Sequence, residues 1–256
     1  MASNNSTLKT IKVALVLCIV CSVIVSTAAV LLRPAQQANK DLDRKTNVLA
    51  AAGMLQKGDD VNAKFASITA RAVDLATGKF TDAVDLDSYN QRKASKDPEL
   101  SVDLGDADIA KIGRLPKYMI VYVVEGDAGL EKIILPIKGY GLWSTLYGFV
   151  ALEADLNTVA GLGFYEHAET PGLGGEIDNP LWKAQWIGKK SYDASNKQAL
   201  TVVRGKVDLS RSESIHEIDG LSGATLTSRG VDNLIKFWMG ENGFSPFLSN
   251  LRAGEA

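Results

Sequence analysis

The longest apolar run of the chain lies near its N-terminus. Residues 13–32 contain no charged side chain, whereas Lys9 and Lys12 precede them and Arg33 and Pro34 follow. A helix of this length extends about 30 Å, the thickness of a bilayer's hydrocarbon core. The small residues at 26–28 also suit a signal-peptide cleavage site, but signal sequences usually have an apolar region of only about 7–15 residues. The pattern therefore favours an uncleaved transmembrane helix at 13–32, preceded by a short N-terminal arm at 1–12.

Apolar periodicity beyond this run predicts helices and then loops. The helix predicted at 41–56, either separate from the membrane helix or its outward continuation, has an apolar stripe of Leu42, Val48, Leu49, Ala52 and Leu55. A further helix is predicted at 60–75 and a turn at 76–79. Residues 88–113 are charged and poor in large apolar side chains, which is typical of a loop-rich surface. The interval 33–115 is thus a helical and loop-rich membrane-proximal region.

The second half of the chain has the pattern of strands. A first hairpin is predicted from two runs rich in β-branched and aromatic residues, 118–124 and 132–137, with a turn at 126–129. A second hairpin is predicted from 146–153 and 159–165, joined across 155–157. A short helix at 179–186 and a strand at 200–207 follow. The last predicted helix has apolar residues at i, i+3, i+4 and i+7, namely Val231, Leu234, Ile235 and Trp238, before Gly240 and Gly243. The fold class is α+β: an N-terminal transmembrane helix, then a soluble domain at 116–256 with an antiparallel or mixed sheet flanked by helices.

Composition excludes several classes of function. The formal net charge is −2 and no basic stripe stands out, which argues against a nucleic-acid partner. Both cysteines, Cys18 and Cys21, fall inside the apolar run, so the soluble part has no cysteine for a disulfide, an iron–sulfur cluster or a zinc site. The two histidines, His167 and His216, are not at the spacing of metal ligands. We therefore expect no metal site. The dinucleotide fingerprint and the phosphate-binding loop are absent, which argues against direct NADH binding. Redox chemistry in this domain would need an organic cofactor.

A short hydroxyl-rich segment precedes the last helix. Asp219-Gly-Leu-Ser-Gly-Ala-Thr225 leads directly into the helix, so its end lies where unpaired N–H groups favour an anion. An ordinary helix cap would use the same residue types. The interval between the aspartate and the final hydroxyl, however, resembles the D-x-x-[ST]-G-A-[ST] flavinylation motif. The resemblance implies that a flavin transferase joins FMN covalently to Thr225 through a phosphoester, with Leu226 and Thr227 following as in the family.

Two earlier segments are similar to parts of FMN-binding domains, Tyr140-Gly-Leu-Trp-Ser144 and Glu169-Thr-Pro-Gly-Leu-Gly-Gly175. Apolar walls and backbone donors suit a flavin ring. From these two segments the resemblance implies cofactor contacts by Tyr140, Leu142, Trp143, Ser144, Glu169, Thr170, Gly172, Leu173 and Gly174. From the motif and the residues that follow it, the resemblance adds Asp219, Leu221, Ser222, Gly223, Ala224 and Thr227. Lys206 lies at the end of a predicted strand upstream of the motif, and from that position we expect it to reach the phosphate or the ribityl chain. The strongest single expectation is attachment at Thr225, and no catalytic residue is expected.

With an apolar anchor in front of these three segments, the chain resembles the family of C subunits of the Na+-translocating NADH:quinone reductases. The resemblance implies an electron-transfer protein that performs no complete reaction alone, in a complex that oxidises NADH, reduces ubiquinone and pumps Na+. Its partners would be the other membrane and peripheral subunits of that complex. Two alternatives remain: the homologous G subunit of the Rnf ferredoxin:NAD+ electron-transport complex, and a membrane-anchored binding or assembly module without flavin. The length of the chain and its 60–111 segment favour the reductase.

The orientation of the anchor does not follow from charge. Basic residues flank both ends of the apolar run, and long domains cross membranes largely regardless of charge. The family resemblance implies a single pass through the bacterial inner membrane with the soluble domain in the periplasm.

Overall fold

The computed structural model describes residues 7–127 and 129–256. Residues 1–6 of the predicted arm, and Ala128 in the predicted turn at 126–129, lie outside the described residues. The chain divides into two compact units, one up to Arg44 and one from Lys45 to Ala256.

The first unit consists of a single helix. Helix α1 (Thr7–Ala51) is 45 residues long, contains Pro34 without a break, and continues into the second unit. Within the described residues it is the one helix long and apolar enough to cross a membrane, with a mean hydropathy of 2.9 in its most apolar window. The helix predicted at 41–56 is therefore the continuation of the apolar helix α1, and it ends at Ala51.

The second unit is built on a six-stranded antiparallel sheet. Its strands are β1 (Ile68–Asp74), β2 (Lys79–Thr81), β5 (Tyr118–Gly126), β6 (Gly129–Tyr140), β7 (Thr145–Glu153) and β8 (Val159–Glu166), and they lie in the order β2-β1-β5-β6-β7-β8. Two small pairs complete the strands: β3 (Ser101–Asp103) with β4 (Arg114–Pro116), antiparallel, and β9 (Thr201–Val202) with β10 (Glu217–Ile218), parallel. The helices are α2 (Val61–Phe65), α3 (Gln91–Ala94), α4 (Pro180–Ala184), α5 (Thr225–Trp238) and α6 (Ser245–Ala253).

Both faces of the sheet are covered. On β6, Ile133 and Leu135 pack into a cluster that includes the apolar residues of α5 and α6. Ile134 points to the opposite face and packs with Val48 and Leu49 at the end of α1. This alternation follows from the two-residue period of a strand. The α+β class with a sheet flanked by helices is confirmed.

Several elements differ from the sequence prediction. The helix predicted at 60–75 is wrong beyond Phe65, because β1 pairs with β5 from Ile68↔Val124 to Asp74↔Tyr118. The strand ladder and the burial of Val73 outweigh the helical preference of this alanine-containing segment. The strand predicted at 200–207 is limited to β9, since the chain then turns to meet the motif: Gly220 N–H donates to the Gly205 carbonyl at 2.8 Å. Helix α6 was not predicted.

Helix α5 is fixed against β6 in a way that determines where Thr225 lies. The indole N–H of Trp238 donates to the Lys138 carbonyl at 2.7 Å. Nearer the start of the helix, a Cβ on Gly230 would lie only 2.5 Å from the Tyr140 carbonyl oxygen. Only glycine therefore permits this approach, which brings the first turn of α5 to the end of β6 and the 141–144 loop.

Candidate functional site

Thr225 occupies the first position of α5 and is exposed to solvent. Within the described part of the chain, no acceptor lies opposite the N–H groups of Thr225, Leu226 and Thr227. The first turn also contains no acidic side chain. An exposed hydroxyl beside three free N–H groups and the positive end of the helix dipole favours a negatively charged group at this position.

The loop before Thr225 is held by its own hydrogen bonds. Ser228 Oγ accepts the Leu221 N–H at 2.8 Å and donates to the Ala224 carbonyl at 3.1 Å. Gly223 has φ +73°, in the left-handed region that side chains rarely adopt. The motif thus forms a compact turn that leaves Ser222 and Thr225 exposed and buries Leu221 and Ala224.

Glu169 joins the three predicted segments. Its Oε1 accepts the N–H groups of Leu142, Trp143 and Ser144 at 3.0, 2.9 and 3.3 Å. Its Oε2 accepts the Thr227 hydroxyl at 2.6 Å. Because Glu169 is only 5% exposed and Thr227 is fully buried, these bonds lie inside the protein. The two residues therefore support the site from within.

The space around this carboxylate requires glycine at Gly174. A Cβ there would lie 2.6 Å from Glu169 Oε2 and 2.5 Å from Thr227 Oγ1. Burial alone would raise the pKa of Glu169. The hydroxyl of Thr227 and the three N–H groups that donate to the charged form outweigh burial, so the pKa lies below the ordinary value. Glu169 is therefore a carboxylate at neutral pH, and its negative charge is balanced by donors.

An uncovered apolar surface lies next to Thr225. Large apolar side chains of the 140–143 and 169–175 segments and of the motif remain exposed, with relative exposures of 38% for Tyr140, 36% for Leu142, 65% for Trp143, 45% for Leu173 and 52% for Leu226. The Leu173 side chain lies 3.1 Å from where a Cβ of Gly223 would be. Apolar patches of this kind mark binding sites when they border polar groups.

The residues present fit an FMN. The uncovered apolar side chains match the faces of a flavin ring, while the exposed Thr225 hydroxyl and the free N–H groups match a phosphate at the other end. The glycine-rich loop is less open to a ligand than its composition suggests, since the N–H groups of Leu173 and Gly175 donate to the Thr170 carbonyl at 3.1 and 2.9 Å.

The remaining predicted contacts lie around this centre. Ser144 Oγ accepts the Ala168 N–H at 2.7 Å. Asp219 Oδ1 accepts the Val207 N–H at 2.7 Å, and the Asp219 carbonyl accepts the Trp182 indole N–H at 2.8 Å. Asp219 thereby connects the motif to the 205–207 turn. Thr170, Gly172 and Lys206 are exposed, and the side chain of Lys206 has no hydrogen-bond partner within the described residues.

A groove beside Thr225 includes residues that the sequence did not indicate as part of the site. This groove of about 150 Å³ is lined by Val202, Val203, Arg204, Gly205, Gly220, Leu221, Thr225, Ser228, Arg229 and Asp232. The helical spacing of Thr225, Ser228, Arg229 and Asp232 was visible in the sequence, but the contribution of the 202–205 segment was not.

Comparisons with known proteins identify the family to which the chain is similar. Residues 141–240 match the family described as the FMN-binding domain, a region that contains every predicted site residue except Tyr140. The chain is 55% identical over 261 residues to the C subunit of the Na(+)-translocating NADH-quinone reductase of Pseudomonas aeruginosa, covering 100% of both chains. It is 50% identical over 256 residues to the C subunit of the same reductase of Vibrio vulnificus, covering 99% of both.

Two solved structures are similar in fold. The crystal structure of Shewanella oneidensis NqrC matches with a TM-score of 0.76 and 37% identity, covering 84% of this chain and 99% of that one. The crystal structure of the reductase's C subunit from Parabacteroides distasonis matches with a TM-score of 0.65 and 27% identity, covering 85% of this chain and 97% of that one.

Proposed function

Because this chain belongs to the family of C subunits of the Na+-translocating NADH-quinone reductases, we propose that it holds FMN covalently, in a phosphoester to Thr225, and relays electrons between other cofactors of that reductase. The chain is an FMN-binding subunit of an oxidoreductase complex and performs no complete reaction by itself. The assembled complex would oxidise NADH, reduce ubiquinone and move Na+ across the membrane.

The observation that carries this proposal is the difference among the hydroxyls of Ser222, Thr225 and Thr227, in and directly after the motif. Thr227 cannot serve as the acceptor, because its hydroxyl is buried and bonded to Glu169. Ser222 and Thr225 are both exposed. Thr225 alone also occupies the first position of α5, beside the free N–H groups that would stabilise a phosphodiester. It is also the residue that stands at the motif's acceptor position.

The side chains around Thr225 have distinct roles in this proposal. FMN would supply one- and two-electron redox chemistry. Leu142, Trp143 and Leu173 would cover the ring and exclude water, and Glu169 would hold the loop that carries Leu142 and Trp143 against the start of α5. Since a covalent link prevents dissociation, these residues need only orient the flavin and set the polarity around it. Glu169 and Thr227, both buried, would support these contacts from inside the protein. The other predicted contacts remain part of the proposal, namely Tyr140, Ser144, Thr170, Gly172, Gly174, Lys206, Asp219, Leu221, Ser222, Gly223 and Ala224.

The anchor and the partners complete the proposal. The apolar helix fits single-pass anchoring of a reductase subunit. We assign residues 13–32 to the membrane. Residues 116–256 form the FMN-binding domain together with β1 and β2, which belong to the same sheet, and the rest of 33–115 is membrane-proximal. The soluble domain would lie on the periplasmic side of the inner membrane, where a flavin transferase modifies Thr225 and the other subunits exchange electrons with it.

The test uses the full chain purified from membranes that contain the flavin transferase. Ultraviolet-excited fluorescence on a denaturing gel reports covalent flavin, and peptide mapping locates its mass. We expect the wild type and Ser222→Ala to fluoresce and Thr225→Ala to be dark. A dark wild type would favour the alternative of a binding or assembly module without flavin. Flavin mass on Ser222 would contradict the assignment of Thr225. The family assignment decides against the G subunit of the Rnf complex.

A further inference from the structure

The groove beside Thr225 lies on the face of α5 that points away from the sheet. Thr225, Ser228, Arg229 and Asp232 line it at positions i, i+3, i+4 and i+7 of the helix. The sheet-facing side of the same helix contains Gly230, which approaches the Tyr140 carbonyl, and Leu234, which approaches Gly139. Thr225 therefore lies between two surfaces. One is the groove, and the other is the apolar wall, the exposed side chains of Tyr140, Leu142, Trp143, Leu173 and Leu226.

The groove contains two guanidinium groups without a partner. Within residues 7–127 and 129–256, neither the Arg204 nor the Arg229 guanidinium group forms a hydrogen bond or an ion pair. The one acidic side chain in the lining, Asp232, is fully engaged. Its Oδ1 accepts the Thr201 hydroxyl at 2.6 Å and the Val202 N–H at 3.0 Å, and its Oδ2 accepts Lys236 at 2.7 Å. Two unpaired cations thus face a cavity of about 150 Å³.

The turn that places Arg204 here is held firmly. Val203 N–H donates to the Ile218 carbonyl at 2.9 Å, and Gly220 N–H donates to the Gly205 carbonyl at 2.8 Å. A Cβ on Gly220 would lie 2.5 Å from the Val203 carbonyl oxygen, so the two segments are in close contact. Arg204 is therefore held beside the motif, and its position in the lining follows from the backbone.

We propose that this groove is an anion subsite for a phosphate ester at Thr225, with Arg204 and Arg229 as its two charged donors. A phosphodiester retains one negative charge, and guanidinium groups bind phosphate oxygens through paired N–H donors. The inference deepens the proposed function and rests on it. It adds that the phosphate lies on the groove side of Thr225 and the ring on the side of Trp143 and Leu173.

Inorganic phosphate is a suitable probe for this subsite. The full chain, labelled with ¹⁵N-arginine and produced without the flavin transferase, is titrated with phosphate at pH 7 in detergent. Side-chain Nε–H signals are assigned by Arg→Gln variants. We expect the signals of Arg204 and Arg229 to shift with one common Kd. The signal of Arg211, which already pairs with Glu213 and Glu217, should not respond.

Variants and flavinylation make the test specific. Arg229→Gln should raise the Kd reported by Arg204 about tenfold, the effect expected for one charged hydrogen bond. The matched control Arg211→Gln should leave the Kd within about twofold. In the flavinylated chain the groove should be filled, so added phosphate should no longer shift Arg204 or Arg229.

The outcomes separate this inference from the function on which it rests. Unresponsive Arg204 and Arg229 signals in the unmodified chain would overturn the subsite. An unchanged phosphate response after flavinylation would also overturn it, while leaving covalent FMN on Thr225 intact. A chain that binds phosphate at both arginines but never accepts flavin would support the anion subsite and contradict the proposed function.

Discussion

The hydroxyl of Thr227 donates a 2.6 Å hydrogen bond to Oε2 of Glu169, which lies 58 residues earlier in the chain. Both residues are buried. Since Oε1 of the same carboxylate accepts the N–H groups of the 142–144 loop, one side chain connects helix α5 to the loop that carries Leu142 and Trp143. The Thr227 hydroxyl, two residues beyond the motif, thus supports the geometry around Thr225.

Replacing Thr227 with valine should destabilise the domain by about 1–3 kcal/mol. Valine keeps the volume but removes one donor from a buried carboxylate, and an under-satisfied buried acceptor is costly. The matched variant Thr227→Ser retains the hydroxyl and should lose less than half as much. Urea unfolding in detergent measures both. Equal stabilities for the valine and serine variants would show that the hydrogen bond contributes little.

Protonation of Glu169 should lower the free energy of unfolding in acid. Its pKa is lowered in the folded state because, despite burial, Thr227 and three N–H groups donate to the carboxylate. The stabilisation is fully present above the ordinary glutamate pKa of about 4.3 and is lost as the pH falls through the lowered folded-state pKa.

The variant Glu169→Gln keeps an acceptor oxygen and does not titrate, so it tests this pH dependence. Free energies of unfolding measured between pH 7 and pH 3 should converge for the wild type and Glu169→Gln as the pH decreases. Titrations of the other carboxylates are common to both proteins and cancel in the difference. Parallel curves across the whole range would contradict the prediction.

Asp219 should matter more for flavin attachment than for folding. Asn at this position retains an oxygen that can accept the Val207 N–H, so Asp219→Asn should change stability by no more than about 0.5 kcal/mol. Asp219→Ala removes that acceptor and should cost about 1 kcal/mol. If the flavin transferase recognises the Asp219 carboxylate, the Asp219→Asn variant will carry much less covalent FMN than the wild type. A folded Asn variant with full flavin content would refute this role.

Replacing Trp143 or Leu173 with alanine should change the fluorescence and reduction potential of the flavin without releasing it. Trp143 and Leu173 are 65% and 45% exposed, so alanine at either position should leave the domain folded. If these side chains cover the ring, both variants will keep covalent FMN but show altered flavin fluorescence and reduction potential, because water gains access. Leu181→Ala on α4, where the leucine is 80% exposed, is the control. Spectra and potentials identical to the control would place the ring elsewhere.

The close approach of α5 to β6 predicts a strong effect at Gly230. A Cβ there would lie 2.5 Å from the Tyr140 carbonyl oxygen and 2.9 Å from the Gly141 Cα, so Gly230→Ala must displace the helix. We expect a loss of about 1–3 kcal/mol. At Gly163 the nearest atom to an added Cβ is Ala51 Cβ at 3.9 Å. Gly163→Ala should therefore be tolerated within about 0.5 kcal/mol. Thermal unfolding of the two variants checks the difference, and equal losses would contradict the tight contact.

Local pattern was sufficient to predict much of this protein. The apolar helix was predicted from the length of the uncharged run at 13–32, and the two hairpins and helix α5 were predicted from the spacing of their apolar residues. In each case the side chains that define the element are neighbours along the chain. The motif from Asp219 to Thr225 was recognisable for the same reason. The resemblance of this contiguous segment to the flavinylation motif therefore implied Thr225 as the attachment site without any knowledge of the fold.

Only the tertiary structure decided the elements that depend on distant partners. Residues 68–74 form β1 because β5 offers them a ladder, which overrides a local preference for helix. Glu169 was expected to touch the cofactor, yet its carboxylate is occupied by N–H groups 25–27 residues earlier and a hydroxyl 58 residues later. Likewise, Arg204 and Arg229 share one groove only because Gly205 and Gly220 bring their segments together. Periodicity determines which face a residue occupies, whereas packing between segments far apart in sequence determines what that face meets.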